Sequence, residues 1–195
     1  MNLFEYEGKN LFEKHGIRVP RRALVRSLAE VSSAYASIGV ADVVVKTQIL
    51  AGKRGKNGGI KFCSTLEDVQ AVVGSLLGTT LRGYEIKAVL IEEKLAIAEE
   101  HYVSISYDTS VRAPLFVYSS AGGMEIEDAP ESAITRRTLD VRSMDTPGIQ
   151  PFAAEVWKCF LTEDARVVEI NPLVKTVDGQ WYAADAKIAL DDDAF

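Results

Sequence analysis

The stretch Lys46-Thr47-Gln48-Ile49-Leu50-Ala51-Gly52-Lys53-Arg54-Gly55-Lys56-Asn57-Gly58-Gly59 joins two apolar runs, residues 43–45 and 60–62, by a loop rich in glycine and cations. Valine and isoleucine runs bounded by glycine read as strands, and no helical period separates these two. The loop between them carries phosphate-binding chemistry. Glycines let backbone N–H groups turn toward an anion, and Lys53, Arg54 and Lys56 add positive charge within a few residues. No Gly-Lys-Ser/Thr sequence opens a helix here, so the loop is not a Walker P-loop. An ordinary basic hairpin is the competing reading. Lys46 argues against it, because a lysine closing the run Val43-Val44-Val45 is expensive to bury unless it meets an anion.

Outward from this loop the chain alternates short helices with many strands. Leu3, Phe4, Leu11 and Phe12 fall at helical spacing before Gly16, which predicts an opening helix. Ser27 with Glu30, and Ser64 with Glu67, form the pattern of two capping boxes, each ahead of an apolar helical stripe. Strands are predicted over 86–91, 102–107, 115–118, 167–170 and 181–184, and a single helix carries Trp157 and Phe160. Helices and strands that mix without strict βαβ alternation predict an α+β fold with largely antiparallel sheets.

With 195 residues, 47% apolar and 26% charged, the chain is long enough to bury a core as one domain or two small lobes. A net charge of −6 gives no basic face for a nucleic-acid backbone. No run approaches the roughly 18 apolar residues of a membrane span. Glu5 and Glu7 break any signal-peptide pattern, which points to a cytoplasmic setting. Cys63 and Cys159 have neither metal-ligand nor redox spacing and are expected as buried free thiols. The acidic end, Asp191 to Asp193, reads as a solvated tail.

Three further segments carry polar side chains in suggestive places. Glu92, Glu93, Glu99 and Glu100 flank Leu95 and could meet a ribose or an adenine edge; Glu93 and Glu99 read better as solvated strand-end acids. A period of two puts Glu169 and Asn171 on one face of their strand, and a turn at Asp178-Gly179 would fold Asp185 back beside them. Two carboxylates and an amide suit Mg²⁺, which takes hard oxygens and keeps waters and nucleotide phosphates for its other positions. A turn Asp and a capping Asn explain the same residues equally well. Ser119 to Glu127, with Gly122-Gly123, is either a loop approaching phosphates or a plain surface turn.

Taken together, these pieces resemble the ATP-grasp region of succinyl-CoA synthetase β subunits and of the related ATP-citrate lyases. The likeness runs nearly end to end: Met1 to Tyr6 with Gly16-Ile17-Arg18-Val19-Pro20, then Val45-Lys46 through Gly58-Gly59, then Gly122-Gly123 with Ile126-Glu127, then Glu169 to Leu173 and Asp185 to Leu190. The resemblance implies two α/β lobes, residues 20–100 forming the smaller and residues 1–19 and 101–195 the rest. It implies that Lys46 with Lys53, Arg54 and Gly55 holds nucleotide phosphates, that Glu92, Leu95 and Glu100 line the adenosine pocket, and that Asn171 and Asp185 bind Mg²⁺ with Glu169 beside them. ATP and ADP are the expected nucleotides, with GTP left open. In that family the phosphate passes through a histidine of a partner α subunit, which also carries the CoA site. Neither His15 nor His101 lies in a matching motif, so no covalent intermediate is expected on this chain.

Three departures stand out against the family pattern. Lys53 occupies a position where relatives commonly have glycine, the segment 151–168 is shorter than the usual pair of helices, and the sequence stops before the CoA-ligase domain that follows in relatives, which is therefore expected to be supplied by another chain or segment.

Overall fold

All five residues of Val43–Thr47 are buried, as befits a strand with neighbours on both edges. A computed structural model of the chain describes residues 1–142, 148 and 150–194. The chain opens with α1 (Glu5–Lys14) and divides into two units, one formed by Pro20–Leu95 and the other by Met1–Val19 with Ala96–Phe195.

The Pro20–Leu95 unit contains β1 (Arg22–Val25), α2 (Val31–Ile38), β2 (Val43–Thr47), β3 (Ile60–Cys63), α3 (Leu66–Leu76), the short pair β4 (Thr80–Leu81) and β5 (Tyr84–Glu85), and β6 (Val89–Glu93). Its main sheet runs β1-β6-β2-β3 with every pair antiparallel. Val43, Val45, Val89 and Ile91 point to one face and pack with Val31, Ile38, Val69 and Val73 of the two helices. Burying side chains of this size contributes about 1.5–3 kcal/mol each.

The other unit contains β7 (Ile97–Asp108), β8 (Ala113–Ser119), β9 (Ile134–Thr138), α4 (Ala153–Thr162), β10 (Ala165–Thr176), β11 (Trp181–Ala183) and β12 (Lys187–Leu190). The sheet order is β11-β10-β7-β8-β9, and β12 also pairs with β10, again antiparallel throughout. Because β11 takes residues 173–175 of β10 and β12 takes 165–169, the two lie end to end along one edge, with residues 184–186 as the joint between them. One face is apolar: Val103, Ile105, Val168 and Ile170 meet Val156, Trp157 and Phe160 of α4 and Phe12 of α1.

The predicted α+β, antiparallel fold is what the structure has, and the details differ where local hydrogen bonding was misread. Ser27 donates to Glu30 instead of accepting from the backbone, a 3₁₀ turn occupies Leu28–Glu30, and α2 starts only at Val31. At α3 the cap is Thr65, whose oxygen accepts from the Asp68 N–H, while Ser64 donates to Asp42. β1, β9, β12 and the short pair β4 and β5 are not among the strands read from sequence; β9 reads Ile-Thr-Arg-Arg-Thr, with no alternation to reveal it. The acidic end is tied down: the Asp191 N–H bonds the Asp164 carbonyl and the Met1 ammonium pairs with Asp192. Both cysteines are free and buried. Among the described residues no helix is long and apolar enough to cross a membrane.

Candidate functional site

Lys46 is the fourth residue of β2, and the two-residue period turns it and Val44 away from the apolar core. Val44 lies opposite Glu92 and Lys46 opposite Leu90, so Lys46 and Glu92 are diagonal neighbours on that face. Their charged ends stand 2.5 Å apart, with Lys46 8% and Glu92 1% exposed. The sequence reading expects these two residues to meet different parts of a nucleotide; in the structure they meet each other. Leu95, half-buried, is the last residue of the same unit.

The loop from β2 to β3 is organised around Arg54. Its side chain turns inward and donates to the Thr47 carbonyl at 2.8 Å, while its own carbonyl accepts from the N–H groups of Asn57 and Gly59. Lys53 and Gly55 are exposed on the outside of the resulting turn. Lys53 has φ +60°, in the left-handed region that costs a side chain roughly 1–2 kcal/mol, which explains why glycine suits this position. Asn57 Nδ2 donates to the Lys53 carbonyl and Arg82 donates to that of Gly52, so both sides of the turn are held. The Thr47 hydroxyl is buried beside the loop with no hydrogen-bond partner among the described residues. Glu93, read from sequence as a solvated acid, is instead half-buried and bonds both the backbone and the guanidinium of Arg21.

In the other unit the centre is the joint between β11 and β12. Leu173 pairs with Ala183 and Glu169 with Lys187, a register that puts Asn171 opposite Asp185. The Asn171 amide also clamps the glycine loop that follows β8: its oxygen accepts from Gly123 N–H at 3.0 Å and its nitrogen donates to the Met124 carbonyl at 2.8 Å. That loop lies directly on β7. A Cβ on Gly122 would stand 2.2 Å from the His101 carbonyl oxygen, and one on Gly123, at φ +72°, would stand 2.0 Å from the Glu100 carboxylate. Only glycine permits this approach, and it brings exposed Glu100 beside the loop that Asn171 holds.

Glu169 is on the Asn171 face but engaged elsewhere: its Oε2 accepts from Lys187 at 3.1 Å and from the Tyr102 hydroxyl at 3.4 Å. Burial, and then the negative charge of Glu169, push the Tyr102 hydroxyl well above the usual tyrosine range, so it remains a neutral donor. Tyr102 and Lys187 escaped the sequence reading. Tyr102 was detectable as the residue two beyond Glu100 on one strand face. Beneath, Glu99 bonds both His101 and Lys175, and His101 bonds Tyr118, so these groups form a structural network.

No group of three or more His, Cys, Asp or Glu among the described residues is arranged to hold a metal. The Asn171–Asp185 pair nonetheless fits Mg²⁺. It offers one amide and one carboxylate, hard donors for an ion that keeps waters and phosphate oxygens, and the amide oxygen has a second lone pair beyond the one Gly123 uses.

The family model of the ATP-grasp domain matches residues 2–151. The chain belongs to the ATP-grasp family. Along its full length the ATP-grasp chain is 39% identical to the succinate–CoA ligase [ADP-forming] subunit beta of Methanocaldococcus jannaschii, of which it covers 58%. It is 34% identical to the subunit of the same name from Bacteroides thetaiotaomicron, of which it covers 57%. The chain thus spans less than two thirds of these curated relatives. Among solved structures, ATP citrate lyase from Methanothrix soehngenii superposes with a TM-score of 0.71 at 23% identity, over 98% of this ATP-grasp chain and 51% of that one. A dinucleotide-forming acetyl-coenzyme A synthetase 1 from Ca. Korarchaeum cryptofilum gives 0.76 at 18% identity, over 97% and 93% respectively. At these identities the structural likeness shows the fold.

Proposed function

We propose that this chain is the nucleotide-binding, β-type component of an ADP-forming succinate–CoA ligase, binding ATP or ADP with Mg²⁺ and exchanging phosphate with a histidine on a partner α-type subunit that carries the CoA site. The observation that carries the reading is the 39% identity to a succinate–CoA ligase β subunit along the whole chain. The geometry of each unit supports it. Lys46 is a water-poor ammonium beside a glycine loop, where a charge is worth more to a phosphate than at the surface. Lys53 and Gly55 are exposed for contact, and Arg54 shapes the turn from within. Glu92, Leu95 and Glu100 are assigned to the adenosine. Asn171 and Asp185 would hold Mg²⁺, with Glu169 oriented by Lys187 and Tyr102. Bound Mg²⁺ would supply charge neutralisation at the phosphate oxygens, and the chain's share of catalysis is positioning and electrostatics with no covalent step. The proposed setting is the cytoplasm.

A second reading is the equivalent component of an ATP-citrate lyase or another acid–CoA ligase, with whose chains this one shares the fold. The acid would then be chosen by residues outside this chain.

Calorimetric titration with ADP and ATP, with and without Mg²⁺, tests the nucleotide site. Magnesium-dependent binding that falls about 10- to 100-fold in Lys46→Ala and in Asp185→Asn is the expected result. A folded chain that binds neither nucleotide overturns it. Adding an α-type subunit with succinate or with acetate separates the two readings.

A further inference from the structure

Lys9 is 0% exposed, yet its ammonium is not spent in the apolar core. It lies 2.8 Å from Glu5 Oε1, one turn earlier on α1, and donates to the Ala184 carbonyl at 2.9 Å. Taking two such ions out of water costs several kcal/mol per ion, and an apolar pair of similar volume is often as stable or more so. Stability alone therefore gives little reason for lysine here. An apolar side chain could not grip the Ala184 carbonyl. That carbonyl and the Asp185 N–H belong to one peptide plane, so Lys9 fixes the plane from which Asp185 leaves the chain. The preceding peptide is fixed as well, since the Ala184 N–H donates to the Pro172 carbonyl beside Asn171.

The neighbouring residue of the helix touches the other flank. A Cβ on Gly8 would lie 3.1 Å from the Ala186 Cβ, tighter than ordinary contact, so the bare backbone of α1 rests against the residue after Asp185. Successive positions 8 and 9 thus bracket Asp185, a contact joining segments about 175 residues apart.

We propose that Lys9, oriented by Glu5, is a positioning residue that fixes Asp185 opposite Asn171 and thereby sets the Mg²⁺ affinity of the site. The inference rests on Asn171 and Asp185 being the magnesium ligands proposed above. Partners that orient a metal ligand typically change affinity 10- to 100-fold when removed.

The test measures ADP affinity of the full chain in EDTA and the Mg²⁺ concentration that gives half of the magnesium-dependent gain. One variant is Glu5→Met with Lys9→Met, which removes both charges together. The other is Gly8→Ala, which presses on Ala186 while favouring the helix. Both are expected to need about 10- to 100-fold more Mg²⁺, with ADP affinity in EDTA unchanged and, for Gly8→Ala, an unfolding midpoint held or raised. A purely structural helix predicts no change in the Mg²⁺ requirement of Gly8→Ala, and that result overturns the proposal; so does equal loss of affinity with and without the metal. If the double variant fails to fold, Gly8→Ala decides. If the parent chain and Asp185→Asn respond identically to Mg²⁺, the magnesium assignment itself fails and takes the inference with it.

Discussion

Lys46 Nζ lies 2.5 Å from Glu92 Oε2 on the polar face of the Pro20–Leu95 sheet, and neither side chain is more than a tenth exposed. Truncating one partner leaves the other buried without its main countercharge, which costs about 3–5 kcal/mol. Lys46→Ala is therefore expected to lose both nucleotide affinity and stability. Lys46→Met with Glu92→Leu should recover most of the stability and none of the affinity. Urea midpoints and ADP titration on the three proteins separate the two effects; recovery of binding in the double variant would show that Lys46 acts only through packing.

Lys53 makes a different prediction, because its backbone and its charge pull in opposite directions. At φ +60° the side chain is strained, and glycine relieves that strain. Lys53→Gly is expected to raise stability by up to about 1 kcal/mol, while Lys53→Ala, which keeps a Cβ in the left-handed region, is not. Both should weaken ADP binding, and weaken it less at high salt, since an exposed ammonium is screened. Equal unfolding midpoints for the glycine and alanine variants would show that the turn carries no strain.

Much of this arrangement was legible in the sequence because it rests on local signals. The valines before Lys46 announce a strand, the glycines after Lys53 announce a turn, and the alternation around Glu169 and Asn171 reports a shared face. What was hidden depends on contacts between distant segments. Nothing in Lys46 or Glu92 alone says that they pair, since the pairing follows from strand register. Arg54 reads as a phosphate cation, and nothing in that reading tells that its side chain donates to the Thr47 carbonyl within the loop. Glu93 reads as a surface acid until Arg21, 72 residues away and just ahead of β1, is brought beside it. The two capping boxes failed for the same reason at shorter range: each serine hydroxyl donates to a carboxylate, Glu30 or Asp42, instead of accepting from the helix N–H groups.

Cys159, buried on α4, gives a prediction in pH. Burial first, and the negative charge of Glu163 next, push its thiol up to about 12, with Lys14 opposing weakly. Burial raises the thiol of Cys63 as well. At pH 8 the thiolate fraction of native Cys159 is then about three orders of magnitude below that of an unfolded cysteine near 8.5. A disulfide reagent at pH 8 should leave it unlabelled in the native chain and label both cysteines in urea. The raised native value also fixes the sign of the stability change. The unfolded state loses the proton first, so the contribution is whole below about pH 8.5 and declines as pH climbs toward the native value. Relative to Cys159→Ala, the parent chain should lose about 2.5 kcal/mol between pH 8 and pH 10.5. Parallel stability curves for the two proteins across that range would show that the thiol is not held neutral by the fold.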